Sequence, residues 1–448
     1  MSAGMFDVTA DARRQAADYL SQAEDDAAIV PGLNAAIAPR RIDHAAVIGT
    51  GTMGGGIALA LAAADVRVTA IDSDRETLAR GLARMRNTLE TSVVKGRLDA
   101  NVATRRLSCI RGTTDMQEAA DADIWIEAVF EDMALKQRLF RDIDAIAKPG
   151  AVLATNTSGL DIEEIAAVTS RPQDVIGAHF FSPAHVMRLL EVVRTTRTVD
   201  DVIATAMHLG HRLGKVAVLA RVYPGFIGNA LFRQYNREAH FLVEDGALPH
   251  EVDEALVGFG FAMGIFAVHD MAGNDVGYQT RKAQIATRAQ DRRWNDLILK
   301  LAEMGRLGQK TGRGWYRYEA GSRTPLRDPG LEAFIVAESA RMGIQRRPIG
   351  RDEILERCLF GMINEGANLL EFGIAQRASD IDLAMVTGYG FPTSQGGPMH
   401  MADRIGLRHV LAVVQRLHRE HGAWWEPAPL LARLAHEGCS FAEWNPSA

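Results

Sequence analysis

Cysteine is scarce in this chain: Cys109, Cys358 and Cys439 are the only three among 448 residues. They are far apart and odd in number, so neither a disulfide framework nor a cysteine-based metal site follows, and no metal is expected. A reducing compartment suits such usage. Basic excess is also missing. Fifty Lys and Arg face 56 Asp and Glu, for a net charge of -6, which leaves no electrostatic footprint for nucleic acid or anionic lipid. No apolar run reaches the roughly 18 residues that a membrane-spanning helix needs. The opening stretch MSAGMFDVTADARRQAADYL lacks the cationic start and apolar core of a secretory signal. Together these absences point to the cytoplasm. What remains is ordinary globular material, 47% hydrophobic and 24% charged, with a length that suggests about two to four domains.

The strongest local pattern lies at 41–76, RIDHAAVIGTGTMGGGIALALAAADVRVTAIDSD. It reads strand, glycine turn, helix, strand. Gly49, Gly51 and Gly54 form G-x-G-x-x-G. The first glycine permits a tight turn, the second lets backbone approach a pyrophosphate, and the third lets helix pack on strand. Thr52 and Met53 open the helix, whose positive end would face the phosphates. Asp72 follows at the end of the second strand, where an acid accepts the adenine ribose hydroxyls. An acid there repels a 2′-phosphate and favours NAD over NADP, although Arg75 is close by. The sequence around 1–40 reads as a polar, alanine-rich helix and a coil leading into the first strand.

Further strands end on polar residues. The run DIWIEAVFED (123–132) reads as a buried strand over Ile124–Phe130, with Glu127 inside it and Glu131 at its end. Ligands sit beyond the carboxyl ends of strands in open α/β sheets, so Glu131 is placed to face a cofactor, with Lys136 on the first turns of the next helix. The alternative for each, of lesser weight, is a surface charge. The strand AVLATNTS (151–158) ends on Asn156, Thr157 and Ser158. Ser158 is either a helix cap or a ligand-facing hydroxyl. In VIGAHFFSPAHVMRLLEVVR (175–194), one strand ends on His179 and the next carries Glu191 inside an aliphatic run. A buried carboxylate is costly without a partner, and imidazole is a natural one. The pair reads as catalytic, or else as a structural histidine beside a solvent-facing glutamate. The alternation continues to KVAVLAR (215–221), giving a doubly wound Rossmann-type sheet.

From Ile227 onward the pattern is helical and repeats. REAHFLVEDGALPHEVDEA (237–255) aligns with NEGANLLEFGIAQRASDID (364–382), GFGF (258–261) with GYGF (388–391), and Asp270 and Gly273 with Asp403 and Gly406. Two helical domains of like fold are expected. Asn229, just past the turn PGF, is an N-cap or a site candidate. The segment GRLGQKTGRGWYRYE (305–319) offers either a glycine-rich phosphate cradle or a loop that packs Trp315 and Tyr316. The expected organisation is α/β plus all-α: a helical extension at 1–40, an NAD-binding domain at 41–220, and helical domains at 221–345 and 346–448.

These stretches resemble the L-3-hydroxyacyl-CoA dehydrogenases, and most of all the dehydrogenase half of the multifunctional fatty-acid β-oxidation enzymes. The resemblance rests on VIGTGTMGGGIA, EAVFEDMALK, NTSGLDIEEIA, HFFSPAHVMRLLEVV, PGFIGN, GQKTGRGWYRYE and ERCLFGMINEGANLLEFGIAQRASDID, in order from about residue 42 to the C-terminus. It implies that His179 is the general base, Glu191 its partner, Ser158 a contact to the substrate hydroxyl and Asn229 a contact to the substrate carbonyl. It places Glu131, Lys136 and Asn156 near the ribose and nicotinamide of NAD. The implied reaction is oxidation of (S)-3-hydroxyacyl-CoA to 3-oxoacyl-CoA. A narrow-substrate enzyme for short or dicarboxylic acyl-CoA, or a non-catalytic NAD-binding subunit, are the alternatives. The multifunctional enzymes carry a hydratase domain ahead of the glycine motif, and about 200 residues do not fit within 40, so no hydratase activity is expected. The resemblance departs at Asn229-Ala230, where the family often has N-R, and at FAMGIF (261–266), where it often has F-P-M-G-P-F beside the acyl chain. A hydratase or thiolase partner, and a monomeric or homodimeric state, are compatible with it.

Overall fold

The computed structural model describes residues 4–34 and 36–444. Eight strands form one sheet: β1 (His44–Ile48), β2 (Arg67–Ile71), β3 (Ile110–Thr113), β4 (Ile124–Glu127), β5 (Val152–Thr155), β6 (Val175–Phe180), β7 (Leu189–Arg194) and β8 (Val216–Arg221). Their order is β3-β2-β1-β4-β5-β6-β7-β8. The β6–β7 pair is antiparallel and every other neighbouring pair is parallel. The aliphatic strands are buried along nearly their whole length, as expected of a parallel sheet covered on both faces. Strand order reverses between β1 and β4, which makes the crevice beyond their carboxyl ends the ligand position of such a sheet.

Two compact units divide the chain. One comprises residues 19–229 and 372–389, and so holds the sheet together with the helix Ala378–Tyr389. That helix lies on β7 and β8. A Cβ on its Gly388 would stand 2.4 Å from Leu189 Cδ2, so any larger residue there makes Leu189 shift. The preceding segment bonds the outer strand, with Arg221 N donating to Ile374 O at 3.0 Å.

The other unit comprises, among the described residues, 4–18, 230–371 and 390–444 and is mostly helical. The repeat read from sequence reappears as an ordered set of helices. Pro249–Phe259, Ile265–Ala272 and Asn274–Gln284 correspond to Ala378–Tyr389, Pro398–Ile405 and Leu407–His421. Gly273 and Gly406 join the last two helices of each copy with φ of 100° and 98°, a conformation that favours glycine. Asp270 accepts from the backbone of Trp315 and Tyr316, and Asp403 accepts in the same way from Phe441 and Ala442. Among the described residues, no helix is long and apolar enough to cross a membrane.

The structure revises the extent of the fourth strand and decides between the two readings of the glycine-rich segment. A nine-residue helix, Ala100–Ser108, stands ahead of β3, capped by Asp99. The fourth strand stops at Glu127, and Phe130 is exposed. The glycine-rich segment 305–319 is a packing loop. Trp315 and Tyr316 are buried, and a Cβ on Gly314 would meet Asp270 Oδ1 at 1.9 Å. In FAMGIF (261–266), Phe261, Ile265 and Phe266 are buried and Met263 is exposed.

Candidate active site

The glycine turn after β1 separates the three glycine roles physically. Gly49 has φ +92°, and a Cβ there would lie 2.6 Å from Ala128 O. A Cβ on Gly54 would lie 1.8 Å from Gly49 O, so the helix Thr52–Ala63 can close on the turn only with glycine at that position. Around Gly51, by contrast, a Cβ would meet nothing within 4 Å. That open space, at the helix N-cap and without a side-chain cap, is what a pyrophosphate would fill. Thr52 is exposed and Met53 half-buried in the first turn.

Asp72 lies one residue past β2. Its Oδ2 accepts from Thr50 N at 2.8 Å and Thr50 Oγ1 at 2.6 Å, and its Oδ1 accepts from Ser73 N. The acid is therefore anchored to the glycine turn it serves. We expect Asp72→Asn to keep the Thr50 side of this anchor through its one oxygen, giving up the Ser73 amide, while removing the charge that repels a 2′-phosphate, with Arg75 exposed nearby. The preference for NADH over NADPH, measured as the ratio of kcat/KM values, should fall at least about tenfold; an unchanged ratio would show that discrimination lies elsewhere.

Beyond β4 and β5 lies a buried ion network. Glu127 and Lys136 are almost fully buried, and Lys136 Nζ stands 2.6 Å from Glu127 Oε1 and 3.4 Å from Glu131 Oε2. Thr155 Oγ1 and Val129 N also donate to Glu127. Glu131 Oε1 accepts from Thr157 Oγ1 at 2.7 Å, Ser158 N at 2.8 Å and Ser158 Oγ at 2.9 Å. Burial works against ionisation of Glu131 most strongly. The donors from Thr157 and Ser158 and the Lys136 charge together outweigh it and hold the carboxyl below its usual range. Ser158 and Glu131 thus form one unit, with Lys136 beneath it. Removing one partner of a buried pair leaves an uncompensated charge, so Lys136→Met should cost about 3–5 kcal/mol, read from the denaturation midpoint. A loss under about 1 kcal/mol would mean that the hydrogen bonds alone satisfy Glu127.

Asn156 ties the end of β5 to β6: its Oδ1 accepts from Phe180 N at 2.8 Å. His179 and Glu191 stand directly opposite in the antiparallel register. Both are buried, and His179 Nδ1 lies 2.6 Å from Glu191 Oε2. The second carboxylate oxygen accepts from Ile227 N at 3.1 Å and Gly228 N at 2.8 Å. Those amides come from the turn PGFIGN, where Gly225 and Phe226 both have positive φ, of 77° and 51°. A left-handed phenylalanine costs about 1–2 kcal/mol and is held here by its buried ring, whose centroid lies 5.8 Å from that of His179. Phe181 covers the imidazole from 4.4 Å. Asn229 is half-buried in the first turn of the helix Gly228–Asp245, and its Nδ2 donates to Ser158 O at 3.2 Å. The structure therefore brings Ser158, Glu131 and Asn229 into one hydrogen-bonded set that Lys136 joins by an ion pair to Glu131, and His179 and Glu191 into a pair.

Sequence reading passed over several groups in this arrangement: Glu127 as the ion partner of Lys136, Thr50 and Thr157 as anchors, and the two amides on Glu191. The aliphatic setting of Glu127 was a signal for the first. No signal exists for backbone amides.

A doubly wound sheet with an open glycine turn at its switch point, and a buried histidine–glutamate pair toward the carboxyl end of β6, defines an NAD-dependent oxidoreductase. Sequence comparison refines the class. The model of the 3-hydroxyacyl-CoA dehydrogenase NAD binding domain matches residues 44–222, and that of the C-terminal domain matches 225–318 and 354–440. The chain belongs to the 3-hydroxyacyl-CoA dehydrogenase family. A peroxisomal bifunctional enzyme of Danio rerio is 43% identical over 417 residues, covering 89% of this chain and 57% of that protein; the chain thus spans a little over half the length of such relatives. The solved 3-hydroxybutyryl-CoA dehydrogenase from Escherichia coli is 27% identical with a TM-score of 0.77, covering 89% of this chain and 99% of the other. An (S)-3-hydroxybutyryl-CoA dehydrogenase from Ralstonia eutropha is 33% identical with a TM-score of 0.58, covering 62% of this chain and 100% of the other.

Proposed function

We propose that this chain oxidises (S)-3-hydroxyacyl-CoA to 3-oxoacyl-CoA with NAD, as a step of fatty-acid β-oxidation. The observation that carries the reading is the 2.6 Å contact between His179 Nδ1 and Glu191 Oε2. A carboxylate only accepts, so Nδ1 carries the hydrogen and Nε2 presents its lone pair. Nε2 takes the proton of the 3-hydroxyl, and Glu191 stabilises the imidazolium that results. Asn229 and Ser158 hold the substrate oxygens and fix its orientation. Gly49, Gly51, Thr52, Met53 and Gly54 would hold the pyrophosphate, Asp72 the adenine ribose, and Glu131 and Asn156 the nicotinamide side, with Lys136 acting through Glu131. NAD, when bound, supplies the hydride acceptor for C3.

The test is direct. Purified protein given acetoacetyl-CoA and NADH should oxidise NADH; no turnover on any acyl-CoA, with NADH still bound, would favour a non-catalytic subunit. A second reading, a short-chain enzyme, draws support from similarity to two proteins titled 3-hydroxybutyryl-CoA dehydrogenase. Rates across acyl lengths and a terminal carboxylate separate it from a broad fatty-acyl enzyme. The division into segments at 1–40, 41–220, 221–345 and 346–448 belongs to the same proposal, as does docking on a hydratase or thiolase, in monomeric or dimeric form. The three cysteines are free thiols, in keeping with a cytoplasmic location. Several relatives are named peroxisomal, so localisation of the tagged chain tests that reading.

A further inference from the structure

Tyr389 closes the helix Ala378–Tyr389, within the second helical copy, and belongs to the same compact unit as the sheet. Its hydroxyl donates to Asn229 Oδ1 at 2.7 Å. Its ring meets Phe181 edge-on at 5.4 Å and 73°, and Phe181 in turn covers His179. Gly228 makes room for it: a Cβ there would stand 2.2 Å from Tyr389 Cε2. One aromatic side chain thus touches the asparagine itself and the phenylalanine that covers the histidine.

We propose that Tyr389 is a positioning residue of the dehydrogenase site, fixing the Asn229 carboxamide through its hydroxyl. This rests on the reading of Asn229 as a substrate contact. A carboxamide has an accepting oxygen and two donor hydrogens, and half a turn exchanges them. Two contacts oppose that turn here. The Tyr389 hydroxyl donates to Oδ1, and the Ser158 carbonyl accepts one hydrogen of Nδ2. The second Nδ2 hydrogen is then the group offered to a substrate carbonyl oxygen. Turning the amide would set Oδ1 against the Ser158 carbonyl and present the wrong sign of charge to the substrate. Without the hydroxyl, the longer Ser158 contact of 3.2 Å is left to oppose rotation.

The internal repeat supplies a comparison within the chain. GFGF at 258–261 corresponds to GYGF at 388–391, so Phe259 corresponds to Tyr389, and each is the last residue of its helix. Phe259 is buried in an aromatic cluster with Phe6, Phe261 and Phe391. Packing at this position therefore needs only the ring. The hydroxyl appears in the copy whose helix end lies beside Asn229.

The experiment is a double-mutant cycle on the full chain with Tyr389→Phe and Asn229→Ala. Tyr389→Phe keeps the ring and should lower kcat for acetoacetyl-CoA about tenfold, the scale of one well-placed hydrogen bond, with KM for NADH unchanged. In the Asn229→Ala background the same substitution should change kcat less than about twofold, because the group it orients is gone. A purely structural tyrosine would cost the same in both backgrounds, and that result, or full activity of Tyr389→Phe, overturns the proposal. If the unaltered chain turns over no acyl-CoA, the dehydrogenase reading fails separately. Binding of acetoacetyl-CoA to the NAD-loaded chain by calorimetry still decides on Tyr389: about tenfold weaker in Tyr389→Phe and additive only if the proposal is wrong.

Discussion

Replacing His179 with glutamine should cut turnover about a hundred- to ten-thousandfold while NADH affinity stays within about twofold of the unaltered protein. The size follows from what glutamine keeps and loses. Its amide nitrogen can still donate toward Glu191 Oε2, where Nδ1 now stands at 2.6 Å. The buried carboxylate is therefore not stranded, and the β6–β7 register, which sets residue 179 opposite residue 191, is undisturbed. What disappears is the Nε2 lone pair. No glutamine atom accepts a proton from an alcohol at neutral pH, so the 3-hydroxyl keeps its proton. Hydride loss from C3 must then proceed from the alcohol rather than from a developing alkoxide. Retained near-UV circular dichroism and NADH fluorescence enhancement would show that the fold and the cofactor turn persist. The rate of NADH oxidation with acetoacetyl-CoA then isolates the chemistry. A variant that turns over within about threefold of the parent would remove His179 from the role of base.

The parts of this site that could be read in sequence are those whose spacing is local. Gly49, Gly51, Gly54 and Asp72 fall within one strand–helix–strand unit, and the three glycines differ in the open and closed surroundings that their roles require. The His179–Glu191 pairing was legible because a short antiparallel return between two apolar strands sets the register. An acid in an aliphatic run then has one face on which to find a partner. The fourth strand misled for a related reason. Val129 and Phe130 continue the apolar run beyond Glu127 and so read as strand, whereas the chain turns out at once so that Val129 N can reach Glu127 Oε1. That amide joins Lys136 and Thr155 in satisfying a fully buried carboxylate, whose desolvation is costly. The partners of the Glu127–Lys136 pair and of the Tyr389–Asn229 contact stand nine and 160 positions apart in sequence. No periodicity links such positions; only the tertiary path of the chain does. The loop at 305–319 shows the converse. Its glycines left a phosphate cradle and a packing loop equally open, and Gly308 and Gly314 are small because Asp270 lies against both.

Glu191→Gln should be nearly as damaging as loss of the histidine, at roughly a thousandfold or more in kcat, with the protein folded. The carboxylate serves two sides at once. Oε2 accepts from His179, and Oε1 accepts from the amides of Ile227 and Gly228. Both sides present donors, and only an acceptor-only group satisfies them together. Glutamine has one oxygen. If it faces the two amides, the carboxamide nitrogen faces Nδ1 and draws the imidazole into the tautomer with its lone pair on Nδ1 and its hydrogen on Nε2. Nε2 then cannot take the substrate proton, a loss on the order of ten-thousandfold where a histidine is held in the wrong tautomer. If the oxygen faces the imidazole instead, the carboxamide nitrogen is pressed against two backbone donors, and the turn that carries Phe226 at positive φ loses its anchor. The two outcomes are separable. The first leaves the denaturation midpoint nearly unchanged and removes activity. The second lowers the midpoint, since two buried donors go unsatisfied at about 1–3 kcal/mol each. Because the two amides outnumber the single imidazole nitrogen, the first arrangement is expected, with activity lost and stability kept. Glu191→Asp, which keeps the charge but shortens the reach, should retain more turnover than Glu191→Gln. The reverse order would mean that Glu191 acts by filling space rather than by holding the proton on Nδ1.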